Sequence, residues 1–126
     1  MFEVSTIREF AAAHAITMKG LREPVHGHNW RVTVTVAGPV LDSDGLLVDF
    51  HDLERRLENV IRPFHNQNLN DVEPFDEINP TAEHVAKYIA ETLFRTMPAP
   101  VDSLTAAVTE APGCEARYRV VKRSDK

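Results

Sequence analysis

Alternating apolar and polar positions predict strands at both ends of the chain, and helical spacing predicts helices between them. The clearest strand is rich in β-branched residues and ends at a Gly-Pro pair, and the last two strands are joined by a Pro-Gly turn. In the first strand, Ile7 and Phe10 fall out of phase, which is consistent with a bulge. The predicted strands are residues 2–10, 28–40, 104–111 and 115–121, with a shorter apolar strand at 46–50.

Two amphipathic helices are predicted in the middle of the chain. Residues 50–62 carry apolar side chains at helical spacing, with Asp49 as the N-cap and Pro63 as the stop. A second apolar stripe follows Asn79 and Pro80, which are typical of the N-cap and the first helical position. This stripe runs as far as a Met-Pro-Ala-Pro breaker.

The order of these elements predicts one α+β domain that spans residues 1–126. Strands and helices do not alternate, so a parallel sheet built from strand-helix-strand units is not expected. We expect a four-stranded antiparallel sheet with both helices on one face. An open sheet of this kind leaves two unpaired edges, which small proteins often cover by oligomerising.

Composition and charge limit the classes of partner. The chain has 14 Lys and Arg against 19 Asp and Glu, a net charge of −5, which argues against nucleic acid or an anionic membrane as the main partner. Cys114 is the single cysteine, so no internal disulfide can form, and a cytoplasmic, reducing compartment is expected. The N-terminus lacks the apolar region of a signal peptide, and no apolar run is long enough to span a bilayer.

Histidine spacing indicates a metal site. His26 and His28 lie two residues apart at the start of a predicted strand, so their side chains point to the same face. If the first two strands pair antiparallel, His14 lies at the same end of the sheet. Three imidazoles with one open position are typical of a catalytic zinc centre, and ordinary surface or core histidines are the alternative. The remaining histidines are weaker candidates, namely His51, His65 and His84.

Sequence motifs along nearly the whole chain resemble one known family. The motifs are FAAAH at 10–14, HGHNWRVTVTVAG at 26–38, DGLLVDFHDLE at 44–54, NLND at 68–71, NPTAEHVAKYI at 79–89 and TEAPGC at 109–114. In order and spacing they are similar to those of the 6-pyruvoyl-tetrahydropterin synthase and 6-carboxytetrahydropterin synthase family.

The resemblance implies a fold, an assembly, a substrate and a metal. It implies the tunnelling fold, in which antiparallel sheets of three subunits close into a barrel and two trimers stack as a hexamer, with active sites between subunits. The family's substrate is 7,8-dihydroneopterin triphosphate. Residues that match His14, His26 and His28 hold zinc, which binds the substrate's hydroxylated side chain as a Lewis acid and template.

The resemblance also implies residues that bind the pterin ring. The family's late glutamate matches Glu110, and a carboxylate accepts two parallel hydrogen bonds from the 2-amino and N3–H edge of a pterin. Thr81 and Glu83 match a second segment that contacts the pterin. The alternative is an ordinary role for each, as a solvated strand end for Glu110 and as first-turn helix residues for Thr81 and Glu83.

Two departures from the family pattern bear on the reaction. The catalytic cysteine expected four residues before the first histidine is replaced by Arg22, which is followed by Glu23. This Glu-x-x-His-Gly-His context resembles the type III branch, which releases 6-hydroxymethyl-7,8-dihydropterin, and implies Glu23 as the general base. The family's Asp-His relay pair is replaced by His65 and Asn66. An asparagine cannot take up a proton at neutral pH, so His65 is the candidate partner in its place.

Three functions stay open at this point. The first is a zinc-dependent lyase that gives 6-hydroxymethyl-7,8-dihydropterin, with 6-carboxytetrahydropterin as the next product. The second is a zinc-containing pterin- or purine-binding protein that kept the pocket but lost the proton relay. The third is a zinc hydrolase acting on a different substrate, since three-histidine zinc sites generate hydroxide.

Overall fold

The computed structural model describes residues 1–123 and shows a five-stranded sheet with two helices on one face. In chain order the elements are β1 Phe2–His14, β2 Thr17–Met18, β3 Leu21–Arg22, β4 His26–Gly38, α1 Phe50–Ile61, β5 Gln67–Asn68, α2 Ala82–Phe94, β6 Ser103–Ala111 and β7 Cys114–Val121. The order in the sheet is β5-β1-β4-β6-β7, and the four long strands are antiparallel to their neighbours. The predicted α+β class is therefore confirmed. The short β5, which runs parallel to β1, is added to the four predicted strands.

The first long strand ends four residues later than predicted, and the second begins and ends two residues earlier than predicted. β1 and β4 pair without interruption over their full lengths, up to His14 opposite His26. The predicted bulge is wrong, because Ile7 simply lies on the face that the helices do not cover and is 50% exposed. Phe10 lies on the opposite face and is buried. The four extra residues of β1 and the earlier start of β4 place the histidines within the sheet.

The strand predicted at 46–50 is wrong. Leu47 of this segment is buried in the core, but the segment pairs with no strand within residues 1–123. Both edges of β4 are already taken by β1 and β6, and α1 begins at Phe50. Asp49 is confirmed as the N-cap of α1, since its side chain accepts a hydrogen bond from the N–H of His51 at 2.9 Å.

The helix ends differ from prediction by one or two residues. α1 ends just before a 3₁₀ turn that contains Pro63. α2 begins after Thr81, whose side chain accepts a hydrogen bond from the N–H of His84 at 3.1 Å. The prediction of Asn79 as N-cap and Pro80 as the first helical residue is wrong, because the carboxamide of Asn79 binds the backbone that follows β1. In the part of the chain that the structure describes, neither helix is long and apolar enough to cross a bilayer.

The hydrophobic core fills the space between sheet and helices and ends at the histidines. Phe10 and Trp30 lie opposite each other on β1 and β4 and stack with ring centroids 5.9 Å apart. The indole N–H of Trp30 donates to the carbonyl of Ala12 at 3.1 Å. The Trp30 ring also meets the rings of His14 and His28 edge-on, at 4.8 and 5.7 Å. His14 and His28 therefore pack against a buried aromatic layer formed by Trp30 and Phe10.

Candidate metal centre

Strand pairing brings three histidines together at one end of the sheet. In the register of β1 and β4, His14 lies opposite His26, and Ala12 lies opposite His28. The three imidazole centroids are between 4.7 and 5.1 Å apart. Glu110, near the end of β6, completes a group whose four potential ligand atoms lie within 4.8 Å of one another. Imidazole and carboxylate groups at this spacing are the donors that zinc binds in proteins.

Two of the histidines are oriented by hydrogen bonds from Nδ1 to backbone carbonyls. His14 is 1% exposed, and its Nδ1 lies 2.8 Å from the carbonyl oxygen of Pro80. The Nδ1 of His26 lies 3.0 Å from the carbonyl oxygen of Pro24. Because a carbonyl oxygen only accepts, each Nδ1 carries the proton and donates it. Such hydrogen bonds are the usual means of orienting metal-binding histidines, and in His14 they turn Nε2 toward Oε1 of Glu110 at 2.9 Å.

The third histidine has a buried nitrogen without a hydrogen bond. Nε2 of His28 lies 2.9 Å from Oε1 of Glu110, but the direction of approach does not suit a hydrogen bond, and Nε2 has no other partner within residues 1–123. Burial lowers the pKa of His28, with Glu110 opposing this effect and His14 and His26 adding to it. The neutral form of the ring is the form that binds a metal. A buried, unbonded nitrogen beside two oriented imidazoles therefore fits a metal ion.

Glu110 lies on the same face of β6 as the buried Leu104, Ala106 and Val108, at an irregularity of the strand. The register between β6 and β7 shifts between Thr109 and Ala111, so Glu110 is the extra residue of a bulge, a feature that re-aims side chains. Its Oε1 lies 2.9 Å from Nε2 of both His14 and His28. The family resemblance pointed to Glu110 as a pterin-binding residue, and its contact with the histidines was not predicted, although the alternation of Leu104, Ala106 and Val108 places it on the buried face of β6.

Glu23 lies beside the histidine group. Its Oε1 accepts a hydrogen bond from the N–H of Ile16 at 3.1 Å and lies 3.7 Å from Nδ1 of His26. The main-chain N–H of Glu23 also donates to the carbonyl of Ile16 at 3.0 Å. The carboxylate is thus held by the backbone of Ile16 beside Nδ1 of His26, on the side of that ring away from Nε2.

The two residues at the family's relay position lie along the edge of β1. His65 is exposed, and its Nδ1 accepts a hydrogen bond from the N–H of Ala11 at 3.3 Å. Asn66 has a left-handed backbone, with φ of 61°, and its N–H donates to the carbonyl of Ala11. A cavity of about 510 Å³ beside His28 is lined by Asn66 and Gln67, and His65 is not among the described residues that line it. The structure therefore brings the asparagine, and not the histidine, to this cavity.

Thr81 and Glu83 lie at the start of α2. Thr81 caps the helix, and Glu83 is an exposed residue of the first turn. The preceding residue, Pro80, supplies the carbonyl that orients His14, so this helix start borders the histidine group. Contact of Thr81 and Glu83 with a pterin stays a prediction.

Comparisons with known proteins agree with this architecture. The family described as 6-pyruvoyl tetrahydropterin synthase matches residues 3–120. The dihydroneopterin monophosphate aldolase of Pyrococcus furiosus is 32% identical over 92 residues, which cover 73% of this chain and 75% of the relative. The 6-carboxy-5,6,7,8-tetrahydropterin synthase of Bacillus subtilis is 31% identical over 105 residues, covering 82% and 70%. The solved structure of Caenorhabditis elegans 6-pyruvoyl tetrahydropterin synthase superposes with a TM-score of 0.80 at 26% identity, covering 94% of this chain and 95% of that one.

Fold and site together define a class of protein, the tunnelling-fold proteins with a histidine group at one end of the sheet. Within this class, the chain belongs to the 6-pyruvoyl tetrahydropterin synthase family. The family predicted from the motifs is thereby confirmed. Its members are lyases that act on pterins and use a metal, so pterin lyase chemistry is the activity that membership implies. This chain departs from the family pattern in having Arg22 where the catalytic cysteine is expected.

Proposed function

We propose that this protein is a zinc-dependent lyase that cleaves the side chain of 7,8-dihydroneopterin triphosphate, or of a related phosphate, to give 6-hydroxymethyl-7,8-dihydropterin. The observation that carries the proposal is the histidine group. Nδ1 of His14 and of His26 is bonded to a backbone carbonyl, Nε2 of His14 is turned toward Glu110, and Nε2 of His28 is buried without a hydrogen bond. Three imidazoles grouped and oriented in this way are typical of a catalytic zinc centre.

The groups around the histidines favour this product. Arg22 stands where the family pattern has its cysteine, and Glu23 follows with its carboxylate 3.7 Å from Nδ1 of His26. The relative from Pyrococcus furiosus is named an aldolase, a class of enzyme that breaks a carbon-carbon bond. 6-Carboxytetrahydropterin, the product for which the relative from Bacillus subtilis is named, is the second candidate.

The proposed reaction is a retro-aldol cleavage that needs a base at the hydroxyl on the second side-chain carbon. Glu23 takes that proton, the bond between the first and second carbons breaks, and the second carbon becomes an aldehyde. The electron pair stays on the first carbon, where the conjugated pterin stabilises it until a proton returns. His65 is the proposed partner for that return, and its side chain would have to turn from its exposed position beside β1 into the site. His14, His26 and His28 would hold a zinc ion, which would supply Lewis-acid polarisation of the side-chain oxygens.

Glu110 is proposed to hold the pterin ring. It lines a cavity of about 550 Å³ together with Gly27 and His28. This volume lies within the range of roughly 300–1,000 Å³ that is usual for small-molecule sites. A carboxylate at its wall can accept parallel hydrogen bonds from the 2-amino group and N3–H of the pterin. Thr81 and Glu83 are proposed as further pterin contacts, by their match to the family's second binding segment.

Product analysis by mass spectrometry tests this proposal. Zinc-loaded protein is incubated with 7,8-dihydroneopterin triphosphate and, in parallel, with the monophosphate, and chelator-treated protein is the control. We expect 6-hydroxymethyl-7,8-dihydropterin and a two-carbon aldehyde that keeps the phosphate groups. A 6-carboxy product would overturn the retro-aldol step but not the lyase class. Unchanged substrate would overturn the lyase itself.

A pterin-binding protein without turnover is the second candidate function. It is favoured by Asn66, whose amide cannot relay a proton although it lines the cavity beside His28. It is also favoured by His65, which is exposed and bonded to the backbone of β1. For this function, the same incubations would show tight pterin binding by fluorescence titration and no product.

We also propose that the chain assembles as a hexamer of two stacked trimers. The outer edge of β1 is paired only at Ala12 and Ala13, and the outer edge of β7 pairs with no strand in the described part of the chain. Two long free edges on one twisted sheet allow further copies to continue it into a closed barrel. Sedimentation velocity is expected to give a particle of about six chains, a closed symmetric assembly. A monomer at micromolar concentration would contradict this assembly.

A further inference from the structure

Two asparagine side chains hold the backbone that leaves β1 directly after His14. Oδ1 of Asn70 accepts a hydrogen bond from the N–H of Ala15 at 2.8 Å, and its Nδ2 donates to the carbonyl of Ala15 at 2.9 Å. Asn79 binds Thr17 in the same way, with both distances 2.9 Å. Each carboxamide therefore makes the pair of hydrogen bonds that an opposite residue makes in an antiparallel sheet.

Ile16, which lies between Ala15 and Thr17, is bonded to Glu23. The N–H of Ile16 donates to Oε1 of Glu23, and the carbonyl of Ile16 accepts from the main-chain N–H of Glu23. Residues 15–17, which we call the clamped segment, thus have all three N–H groups and all three carbonyls bonded to groups outside the segment. The proposed general base is one of the groups that this segment holds in place.

Asn79 also connects the clamped segment to a metal candidate. The next residue, Pro80, supplies the carbonyl that accepts the Nδ1 proton of His14 at 2.8 Å. The chain from His14 to Thr17, the carboxamide of Asn79 and the carbonyl of Pro80 therefore close a hydrogen-bonded ring. Because the ring fixes the direction of Nδ1–H, it also fixes the direction of Nε2 on the opposite side of the imidazole.

We propose that Asn79 is a positioning residue of the metal centre and that Asn70 supports it. Their carboxamides hold the clamped segment directly after His14, and the segment in turn holds the carboxylate of Glu23. This inference deepens the proposed function and rests on it for the identity of the metal. A group that orients a metal ligand typically changes metal affinity by about 10- to 100-fold when it is removed.

The zinc affinity of Asn79→Ala tests this inference. The dissociation constant for Zn²⁺ is measured on the full chain by competition with a chromophoric chelator, and we expect it to rise by about 10- to 100-fold. In the metal-free protein we expect faster amide exchange at Thr17 and a shifted or lost Nδ1–H proton signal of His14. Asn79→Asp keeps an acceptor for the N–H of Thr17 but lacks the donor, so it should show an intermediate dissociation constant. If Asn79→Ala does not fold, the dissociation constant of Asn79→Asp is used in its place.

Two control variants separate positioning from stability. Ile89→Val removes a buried methylene from α2, and Asn59→Ala removes an exposed carboxamide from α1. Both should leave the dissociation constant within about two-fold of the wild type, because they share no partner with the clamped segment. An unchanged constant in Asn79→Ala, or an equal loss in Ile89→Val, would overturn the inference. If the wild type binds no Zn²⁺, the proposed function fails instead. An unchanged His14 proton signal in metal-free Asn79→Ala would then still overturn the positioning role.

Discussion

Replacing His28 with alanine is expected to remove zinc from the purified protein and to abolish turnover. If three imidazoles share a binding free energy of roughly 10 kcal/mol, the loss of one costs about 3 kcal/mol, or about 100-fold in affinity. The metal-free protein should keep its stability, because the substitution also removes a buried nitrogen that has no hydrogen bond. Elemental analysis gives the zinc content. Thermal unfolding with and without chelator shows whether the metal-free variant is as stable as the metal-free wild type.

His51→Ala is the matched control for this prediction. His51 lies on α1, its side chain is 89% exposed, and its hydrogen bond is with Glu54 on the same helix. This variant should keep about one zinc per chain and full turnover, since a surface substitution usually changes stability by less than about 0.5 kcal/mol. A full zinc content in His28→Ala would refute the ligand set, and a loss of zinc in both variants would point to nonspecific binding.

The three histidines could be predicted from sequence because their geometry is local and periodic. A strand places every second side chain on one face, so His26 and His28 had to lie side by side. Antiparallel pairing then required only that β1 and β4 be neighbours for His14 to reach the same end. The β-branched residues of β4 made that strand unmistakable, and the same reasoning correctly gave two helices on one face of a sheet.

The residues around the histidines could not be predicted, because long-range contacts decide them. Glu110 is in phase with the buried residues Leu104, Ala106 and Val108 of β6, but its contact with the histidines depends on β6 pairing beside β4, which local sequence does not reveal. Asn79 has the residue type of a helix cap, but its carboxamide bonds to Thr17 instead, a partner 62 residues away. Thr81 was then left to cap α2. Tertiary contacts of this kind routinely override local preference.

The short apolar run at 46–50 does not form the predicted strand, for a related reason. Its composition suits a strand, but a strand also needs a free neighbouring edge. β4 already has β1 on one side and β6 on the other. Leu47 therefore contributes only its side chain to the core, and the backbone passes on to the cap at Asp49. Local pattern predicts which side chains are buried more reliably than it predicts which backbones pair.

Glu23→Gln is expected to lower kcat by a factor of about 10²–10⁴, the usual contribution of a positioned general base. Glutamine keeps an oxygen that can accept the N–H of Ile16, so the clamped segment and the zinc content should be preserved. The loss should therefore appear in kcat, measured by product formation at saturating substrate, and not in the dissociation constant for Zn²⁺. Glu23→Ala removes the acceptor as well and should also weaken zinc binding.

The comparison of these two variants decides which role Glu23 has. If it only positions His26 and the clamped segment, glutamine should restore turnover that alanine loses, because glutamine keeps the hydrogen bond and lacks only the charge. If it takes the substrate proton, both variants should be inactive although only alanine disturbs the metal. Glu3→Gln, at an exposed position near the start of β1, controls for the loss of one negative charge. Turnover in Glu23→Gln equal to that of this control would refute the general base and leave Glu23 as a positioning residue.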